Sequence, residues 1–298
     1  MFISVIVPVY DDEFRLKNCL SALELQTYDE ALYEVIVVDN NSSAPLDDVV
    51  LAFPHARLIV ERKIGSYAAR NSGIRISQGK ALAFTDSDCI PSKVWLESGV
   101  KALTSIDNCG LVGGKVDLSF QDPINPTPVE IYDKKSAFPQ KKYVMQNKFS
   151  VTANLFTFRS VFDSVGLFDE DLRSGGDQEW GKRVSQAGYK LIYSENAIVS
   201  HPARSSKLEL KKKIIRQTSG LLDIDLLKKS QKEFSYTVYL NWLAYILPSP
   251  RITFSIIFDK DLGFLEKSHA LGISLWVKWM RLEQIIRLKM NWQAKQYE

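Results

Sequence analysis

The feature that most constrains the fold is an alternation, over about the first 120 residues, of short β-branched runs with amphipathic helical segments. The β-branched runs predict strands at residues 3–8, 34–39, 57–61, 81–85 and 110–120. Between the first two, the spacing i, i+3, i+4, i+7 of four apolar residues predicts a helix with one buried face, formed by Leu16, Cys19, Leu20 and Leu23. Strands that alternate with helices indicate an α/β fold with a mostly parallel central sheet flanked by helices.

Further elements are predicted beyond this first helix. A second helix is expected over residues 66–77, stopping at Gly79, where a positive φ is easily accommodated. Residues 121–148 interrupt the alternation with prolines and charges, so we expect a mobile excursion over the sheet. A helix is then expected from 177 to 187, ended by Gly188, followed by a strand that begins at Lys190.

The chain length of 298 residues exceeds the usual size of one domain. We predict one domain at residues 1–204, divided into 1–120 and 121–204, and a mainly helical region at 205–298. That region starts with a basic stretch and continues into an aromatic run at 234–247. Its apolar part, residues 237–248, is too short to span a bilayer, which needs about 20 helical residues. A last helix at 271–290 is basic and amphipathic, which fits a membrane surface and packing on the main domain equally well.

Composition narrows the class of protein. Hydrophobic residues make up 45% and charged residues 24%, which argues against wholesale disorder and against a bundle of membrane spans. The net charge of +3 is too small to indicate nucleic-acid binding, so we expect no nucleic-acid partner. Three cysteines without CxxC spacing, and an N-terminus without the pattern of an export signal, predict a cytoplasmic protein.

Two aspartates, Asp86 and Asp88, directly follow the apolar run at 81–84. Residues i and i+2 of an extended chain point to the same side, so both carboxylates can converge at the carboxyl end of this strand. Oxygen ligands favour Mg²⁺ or Mn²⁺, which can bridge carboxylates to a diphosphate. The same pattern of two aspartates also occurs in solvated loops and at helix N-termini, so it indicates a metal site only when neighbouring motifs support one.

Asp39 supplies that context, because it ends another predicted strand. Ligands bind at the carboxyl ends of parallel strands in open α/β sheets. Its carboxylate can accept hydrogen bonds from a ribose or a base, and the alternative is a residue that caps the following turn. Residues 62–73 add basic side chains and small residues that allow close approach of the backbone. This segment is neither a P-loop, since GxxxxGK(S/T) is absent, nor a Rossmann fingerprint.

Together these motifs resemble family 2 glycosyltransferases over about residues 2–202. The motifs that occur in the order of that family are Val7-Pro8-Val9-Tyr10, Val38-Asp39-Asn40-Asn41-Ser42, residues 65–73 with Ala69-Arg70-Asn71, and Asp86-Ser87-Asp88. The resemblance implies the GT-A fold, in which a Rossmann-like nucleotide-binding domain is followed here by a C-terminal helical extension. It also implies a nucleotide-diphosphate sugar donor, a divalent metal held by the DxD motif, and inversion at the anomeric carbon.

The resemblance also assigns roles by position. Pro8, Tyr10, Asp39 and Arg70 would line the nucleotide pocket, with Asp86 and Asp88 near the ribose, the diphosphate and the metal. Residues 1–120 would then bind the nucleotide sugar and 121–204 would form the acceptor side. Residues 205–298 would contact the acceptor or a membrane surface.

The family places an acidic residue at the start of a late helix, and Asp177 occupies that place here. Inverting transfer needs a base that takes the proton of the acceptor hydroxyl. Many relatives carry a Glu-Asp pair where this chain has Gly176-Asp177, so Glu179 stays an alternative. Asp177 could equally be structural, because Ser174 three residues earlier resembles a capping box and because the helix dipole favours acids at this end.

Two aromatic residues complete the candidate site. His201 follows the last predicted strand, and some relatives have a histidine near this place that helps hold the metal or the diphosphate, so it is a candidate third metal ligand besides a structural residue. Trp180 can stack on an acceptor sugar, and helix packing is an equally natural role.

These residues predict an inverting hexosyltransferase that depends on Mn²⁺ or Mg²⁺ and uses a nucleotide-diphosphate sugar, first of all a UDP-sugar. The expected acceptor is a hydroxyl of a saccharide or lipid-linked saccharide in bacterial exopolysaccharide or lipopolysaccharide biosynthesis, in the cytoplasm or peripherally on the inner face of the membrane. A nucleotidyltransferase is disfavoured because residues 7–15 lack a glycine-rich basic loop. The alternative is a catalytically silent nucleotide-sugar or carbohydrate-binding protein with the same fold.

Overall fold

The computed structural model describes residues 1–228 and 249–296. The described chain divides into two compact units: Met1–Leu118 with Phe138–Pro202, and Ser119–Ala137 with the described residues from Ala203 onward. The predicted aromatic run at 234–247 and apolar segment at 237–248 lie outside the described residues. Within the described parts, every helix is too short or too polar to cross a bilayer.

The first unit is built on an eight-stranded mixed sheet with the order β3-β2-β1-β4-β7-β6-β8-β5. The strands are β1 (Ile3–Val9), β2 (Tyr33–Asp39), β3 (Ala56–Val60), β4 (Ala81–Thr85), β5 (Ile90–Pro91), β6 (Cys109–Ser119), β7 (Asn154–Phe158) and β8 (Lys190–Pro202). The first four pair in parallel, whereas β4–β7, β6–β7 and β5–β8 are antiparallel. The five strands predicted within the first 120 residues are present within one residue at each end, and the strand predicted to begin at Lys190 is β8. The predicted parallel order holds for β1 to β4.

Helices cover this sheet and form the second unit. They are α1 (Glu13–Glu24), α2 (Asp47–Leu51), α3 (Ser66–Ile76), α4 (Trp95–Leu103), α5 (Pro128–Ser136), α6 (Gln140–Lys142), a π-helix (Tyr143–Asn147), α7 (Arg159–Val165), α8 (Gly176–Gln186), α9 (Lys207–Lys228), α10 (Pro250–Ile257) and α11 (Phe264–Gln296), with a short 3₁₀ turn at Glu30–Leu32. The predicted apolar face of α1 is buried, and α8 ends as predicted before Gly188, whose φ is +85°. All seven residues of β1 are buried, because the sheet is covered on both faces.

Gly79 has a different role from the one predicted. Helix α3 ends at Ile76, Ser77 is already extended, and Gly79 is not among the described residues with positive φ. A Cβ at Gly79 would lie 2.5 Å from the backbone nitrogen of Ser4 and would also clash with the carbonyl of Ala81. Glycine is therefore needed for the close approach of this turn to β1, and the prediction of a positive φ was wrong.

The irregular excursion expected at residues 121–148 is largely helical, because α5, α6 and the π-helix lie there. Helix α5 starts with a capping box: the Thr127 hydroxyl accepts the Glu130 N–H at 3.2 Å, and the Glu130 carboxylate accepts the Thr127 N–H at 2.8 Å. Pro128 occupies the first turn, where the missing N–H is not needed. Pro128, one of the prolines that interrupt the alternation in the sequence, therefore marks the start of a helix.

The second unit has an apolar core shared by α5, α9 and α11. Its buried members are Val129, Tyr132, Leu210, Ile214, Ile273 and Val277. This shared core explains why residues 119–137, which the sequence analysis placed with the first domain, group with the C-terminal helices.

A buried ion cluster lies in the same unit. Asp133 is fully buried and accepts bonds from the Lys213 ammonium at 2.7 Å and from the Arg204 guanidinium at 3.2 Å. Burial alone would raise the pKa of the Asp133 carboxyl, but the two cations outweigh it, and the pKa is lowered. The carboxylate is therefore ionised and holds α5 to α9 and to the chain just before it.

Candidate active site

The acidic turn after β4 and the end of β8 meet at the carboxyl edge of the sheet. The Cys89 N–H donates to the Asp86 carbonyl at 3.0 Å, which closes a turn between β4 and β5. Strand β5 pairs with the end of β8, with Ile90 opposite Ser200. This pairing carries His201, more than a hundred residues further along the chain, next to Asp88.

His201 presents one ring nitrogen to Asp88. The distance from His201 Nε2 to Asp88 Oδ2 is 3.5 Å, and the ring is buried against Phe138 with centroids 4.9 Å apart. Nδ1 lies 2.8 Å from the Pro202 carbonyl, a contact that requires a proton on Nδ1. When the imidazole is neutral, the lone pair of Nε2 therefore faces Asp88, which is the arrangement of a metal-ligating histidine held by a backbone carbonyl.

The spacing and chemistry of these donors fit a divalent ion. Two ligands that each lie about 2.1 Å from one ion can be at most about 4.2 Å apart, and the 3.5 Å between Asp88 and His201 satisfies this limit. Cys89 joins them in a group whose donor atoms all lie within 4.8 Å of one another. Burial raises the pKa of the Cys89 thiol well above its usual value, so it stays protonated. A carboxylate and a neutral imidazole are both ligands of divalent metal ions, so this pair fits a divalent cation.

Arg70 holds the other aspartate of the motif. Its Nη2 lies 2.5 Å from Asp86 Oδ1, and its Nη1 donates to the Ser66 carbonyl at 3.1 Å. The Arg70 side chain is 5% exposed and its guanidinium carbon lies 5.8 Å from the centre of the Tyr67 ring. Arg70 therefore fixes the Asp86 carboxylate and brings a positive charge to the edge of the sheet where the sequence predicted a diphosphate.

Three of the residues predicted to line the nucleotide pocket lie on the neighbouring strands. Pro8 is buried within β1, whereas Tyr10, just after β1, is 63% exposed. Val9 is in register with Asp39 at the end of β2, so Tyr10 and Asp39 share one edge of the sheet. Asp39 Oδ1 accepts the Ser42 N–H at 2.9 Å, which is the turn-capping role that the sequence left open beside ligand binding.

Asn40, in the motif that ends β2, is a positioning residue whose role was not predicted from the sequence. Its amide donates to the carbonyls of Glu61 and Lys63 at 2.9 and 2.8 Å, and its carbonyl accepts the Gly65 N–H at 2.8 Å. These three bonds fix the loop that leads into α3 and hence the place of Arg70. An asparagine directly after a strand end is the only signal of this role in the sequence.

Asp177, the predicted base, lies in the first turn of α8. Its Oδ1 accepts hydrogen bonds from the Tyr67 hydroxyl at 3.3 Å and from the Gln178 N–H at 2.9 Å. Burial raises the pKa of Asp177 above its ordinary value, although these two hydrogen bonds and the nearby Arg70 oppose the rise. The helix N-cap is Gly175, with φ +84° and no side-chain cap bond, so the capping box suggested by Ser174 does not form.

Glu179, the alternative base, is engaged within the structure. Its two carboxylate oxygens accept from Arg183 at 2.7 and 2.9 Å. Arg183 also donates to the carbonyls of Val165 and Leu167. The structure thus brings Asp177 to Tyr67 and Arg70 but turns Glu179 toward the loop that follows α7.

Of the two roles that the sequence left open for Trp180, stacking on an acceptor sugar and helix packing, the structure shows helix packing. Trp180 is fully buried, its ring stacks on Phe162 with centroids 4.4 Å apart, and its Nε1 donates to the Gly166 carbonyl at 3.0 Å. No face of the indole is available to a ligand, so this tryptophan packs α8 against α7.

Asn71 ties the two sides of the site together. Its amide donates to the Phe168 carbonyl at 2.9 Å and its carbonyl accepts the Phe168 N–H at 3.1 Å. The same amide donates to Glu170 at 2.9 Å. Helix α3 is therefore bound to the segment that precedes α8, and the Asp86 and Asp177 sides are held in fixed relation.

The chain is similar to known glycosyltransferases. The chain matches the family model "Glycosyl transferase family 2" over residues 4–166. It is 38% identical over 256 residues to glycosyltransferase AglE of Haloferax volcanii, covering 84% of this chain and 82% of that protein. It is 25% identical over 230 residues to the dolichyl N-acetyl-alpha-D-glucosaminyl phosphate 3-beta-D-2,3-diacetamido-2,3-dideoxy-beta-D-glucuronosyltransferase of Methanococcus voltae, covering 73% and 70%.

A solved structure shares the fold. It is the mannosyltransferase PcManGT from Pyrobaculum calidifontis in complex with GDP-Man and Mn²⁺, with a TM-score of 0.62 and 17% identity over 96% of this chain and 86% of that one. At this identity the likeness establishes the GT-A fold alone. Together with the family match and the relative from Haloferax volcanii, it establishes that the chain belongs to glycosyl transferase family 2 and is a glycosyltransferase.

Proposed function

We propose that this glycosyltransferase uses a divalent metal ion and transfers a hexose, with inversion, from a nucleotide-diphosphate sugar to a hydroxyl of a saccharide or lipid-linked saccharide. The observation that carries the proposal is the pair of Asp88 and His201, 3.5 Å apart, beside an Asp86 carboxylate held by Arg70. Asp177 is connected to the same group through Tyr67.

Asp86, Asp88 and His201 would hold Mn²⁺ or Mg²⁺. When bound, the ion would neutralise the charge that develops on the departing diphosphate. Arg70 adds a permanent positive charge beside Asp86, and the exposed Tyr10 together with Asp39 would contact the base and ribose of the donor, with the buried Pro8 shaping the strand beneath them.

Asp177 is the proposed base. The acceptor oxygen forms a bond to C1 of the sugar while the bond from C1 to the diphosphate oxygen breaks, and the electron pair of that bond leaves with the diphosphate. The proton of the acceptor hydroxyl passes to the Asp177 carboxylate. Attack opposite to the leaving group inverts C1. The raised pKa of Asp177 suits it to this transfer, since a base works best when its pKa lies closer to the working pH.

For the donor, UDP-sugars are our first candidates, as predicted from the sequence. The Pyrobaculum calidifontis protein was solved with GDP-Man and Mn²⁺, so GDP-sugars belong in the same screen. For the acceptor, the Methanococcus voltae relative is named for transfer to a dolichyl-phosphate-linked sugar, which supports a lipid-linked saccharide. Assembly of bacterial exopolysaccharide or lipopolysaccharide, the pathway class predicted from the sequence, would supply such an acceptor.

We also propose that the second unit contacts an anionic membrane surface, where a lipid-linked acceptor would be found. Large apolar side chains are exposed on α10 and at the start of α11, among them Phe254, Ile257, Phe258, Phe264 and Leu265. Basic residues are exposed along α9, among them Lys207, Lys211, Lys212 and Arg216. Aromatic and basic side chains together are the composition that binds the interface of an anionic bilayer.

Flotation with anionic liposomes tests the membrane contact. The double variant Phe258→Ser, Phe264→Ser of the full chain is expected to float less than the wild type. Phe14→Ser is the matched control, because Phe14 is 78% exposed in the first unit and its loss should leave flotation unchanged. A wild-type chain that does not float, or that floats equally well in all three forms, would remove this contact.

The reaction itself is tested by a screen of UDP- and GDP-hexoses for release of the nucleoside diphosphate, with Mn²⁺, Mg²⁺ or EDTA. Wild type is compared with Asp88→Ala and with Asp117→Ala, an exposed aspartate on β6 that pairs with Lys115. Release that needs metal and is lost only in Asp88→Ala supports the proposal. Release that persists in EDTA and in Asp88→Ala would contradict the metal role.

A further inference from the structure

Tyr67 lies in the first turn of α3, where the backbone is fixed on its N-terminal side. Gly65 precedes it with φ +142°, and the Gly65 N–H is held by the Asn40 side chain at 2.8 Å. The Tyr67 side chain is 6% exposed and its ring lies 5.7 Å from that of Phe168. Because the ring is buried and packed against Phe168, it has little freedom to change its rotamer. Such a tyrosine can position a neighbouring group.

The ring of Tyr67 occupies the space beside Gly176, the first residue of α8. A Cβ on Gly176 would lie 2.8 to 2.9 Å from three ring carbons of Tyr67. Such distances are too short for a real contact, so a side chain at position 176 and the present place of the ring exclude each other. Glycine here lets the start of α8 rest directly on the tyrosine.

The hydroxyl of Tyr67 reaches the neighbouring residue, Asp177, at 3.3 Å. The Gln178 N–H donates to the same oxygen, Oδ1, at 2.9 Å. Within the described chain both hydrogen bonds of this carboxylate fall on Oδ1. Oδ2 is then the oxygen left to receive a proton.

We propose that Tyr67 is a positioning residue for Asp177: its ring seats Gly176, and its hydroxyl holds Oδ1 so that Oδ2 faces the acceptor hydroxyl. This inference rests on the proposed role of Asp177 as the base. It also connects the two sides of the reaction, because Arg70, one turn further along α3, lies over the Tyr67 ring and pairs with Asp86.

The groups around the Asp177 carboxylate determine how removal of the Tyr67 hydroxyl changes its pKa. Asp177 is faced by Tyr67 and Arg70 from α3, by Asp86 from the turn after β4, and by the Gln178 N–H of its own helix. The hydroxyl and Arg70 favour the ionised carboxylate, whereas burial and Asp86 disfavour it. Without the hydroxyl the balance moves toward the protonated form, so the pKa of Asp177 is expected to rise.

The test is Tyr67→Phe in the full chain, which keeps the ring on Gly176 and removes only the hydroxyl. A ¹³C NMR titration of the Asp177 carboxyl, assigned with Asp177→Asn, should show a pKa higher by about one unit, the effect of one hydrogen bond to a charged group. With the donor found in the screen, kcat should fall about tenfold with the donor KM unchanged, because the loss of the bond that orients Oδ1 outweighs the gain in basicity. The acidic limb of the pH profile of kcat should move up with the pKa.

Tyr33→Phe is the matched control, because the hydroxyl of this buried tyrosine donates to the Leu23 carbonyl at 3.0 Å, near the start of β2 rather than its end. It should leave the Asp177 titration and kcat unchanged. If Tyr67→Phe behaves like Tyr33→Phe while Asp177→Asn is inactive, Tyr67 only packs and this inference is wrong. If Asp177→Asn keeps the wild-type rate, the base assignment itself fails.

A second variant, Gly176→Ala, acts through the ring alone. Its methyl group must displace the Tyr67 ring, so kcat should fall at least tenfold although every polar group of the site is retained. Wild-type kcat in Gly176→Ala would overturn the seating of Gly176 on the ring.

Discussion

The two acids of α8 give a sharp reciprocal prediction. Asp177→Asn and Glu179→Gln each replace one carboxylate by an amide of the same shape, two residues apart on one helix. We expect the first to lose activity without losing stability and the second to lose stability without losing activity. Helical residues two positions apart point about 200° apart, which is why these two acids have such different surroundings.

The expected size of each effect comes from the contacts. Losing a general base lowers kcat by about 10²–10⁴-fold, or about 2.7–5.4 kcal/mol at 1.36 kcal/mol per tenfold. Burial raises the folded pKa of Asp177, so its contribution to stability is complete below the unfolded pKa and is lost as the pH rises through the folded pKa. At neutral pH the asparagine variant should therefore have a higher free energy of unfolding than the wild type.

Glu179 makes a bidentate pair with Arg183 in which both side chains are 29% exposed. Solvent screens such a pair, so its loss is expected to lower the free energy of unfolding by about 0.5–1 kcal/mol. Arg183 keeps its hydrogen bonds to two backbone carbonyls, which limits the loss in the free energy of unfolding. The rate of Glu179→Gln should stay within about twofold of the wild type.

The assay is turnover of the donor from the screen at pH 7, with urea unfolding of each variant at the same pH. Asp177→Asn with wild-type kcat, or Glu179→Gln with a hundredfold loss, would refute the assignment of roles on α8. Lower stability of Asp177→Asn at pH 7 would refute the view that burial of the charged form carries a cost.

Three further predictions concern the rest of the chain. Asp133→Ala should lower the free energy of unfolding in urea by about 3–5 kcal/mol, since two largely buried cations, Arg204 and Lys213, lose their partner. Because the folded pKa of Asp133 is lowered, its stabilisation is present above the unfolded pKa and lost as the pH falls through the folded pKa, so the difference between wild type and variant in urea unfolding should shrink as the pH is lowered below the unfolded pKa. His201→Ala should raise the Mn²⁺ concentration for half-maximal turnover at least about tenfold after EDTA treatment, and an unchanged value would remove it from the metal site. Trp180→Phe should lower the free energy of unfolding by about 1–3 kcal/mol with the acceptor KM unchanged, whereas a raised KM would restore an acceptor contact.

Local sequence patterns predicted most of the first unit. The β-branched runs gave five strands to within one residue, because burial on both faces leaves little choice of residue along β1, β2 and β4. The same reasoning placed Asp39 and Asp86 at strand ends. In a parallel arrangement the carboxyl ends lie on one edge, so the sequence also predicted where the site would be.

Local sequence patterns were less informative at prolines and glycines that can serve two different structural roles. Pro128 breaks a helix in its interior but begins one in its first turn, and only the shared core of α5, α9 and α11 shows which applies. Gly79 permits a positive φ and also a close approach of backbones, and the structure uses the second.

The sequence by itself thus determined the strands, the acidic turn after β4 and the family of the enzyme. Tertiary structure decided which candidates meet: His201 reaches Asp88 only because β8 pairs with β5, and Asp177 reaches Tyr67 across 110 positions of chain. It also decided that Trp180 faces the interior. The physical reason is that periodicity reports which face of an element is apolar, whereas the partner of that face is set by packing between segments that are distant in sequence.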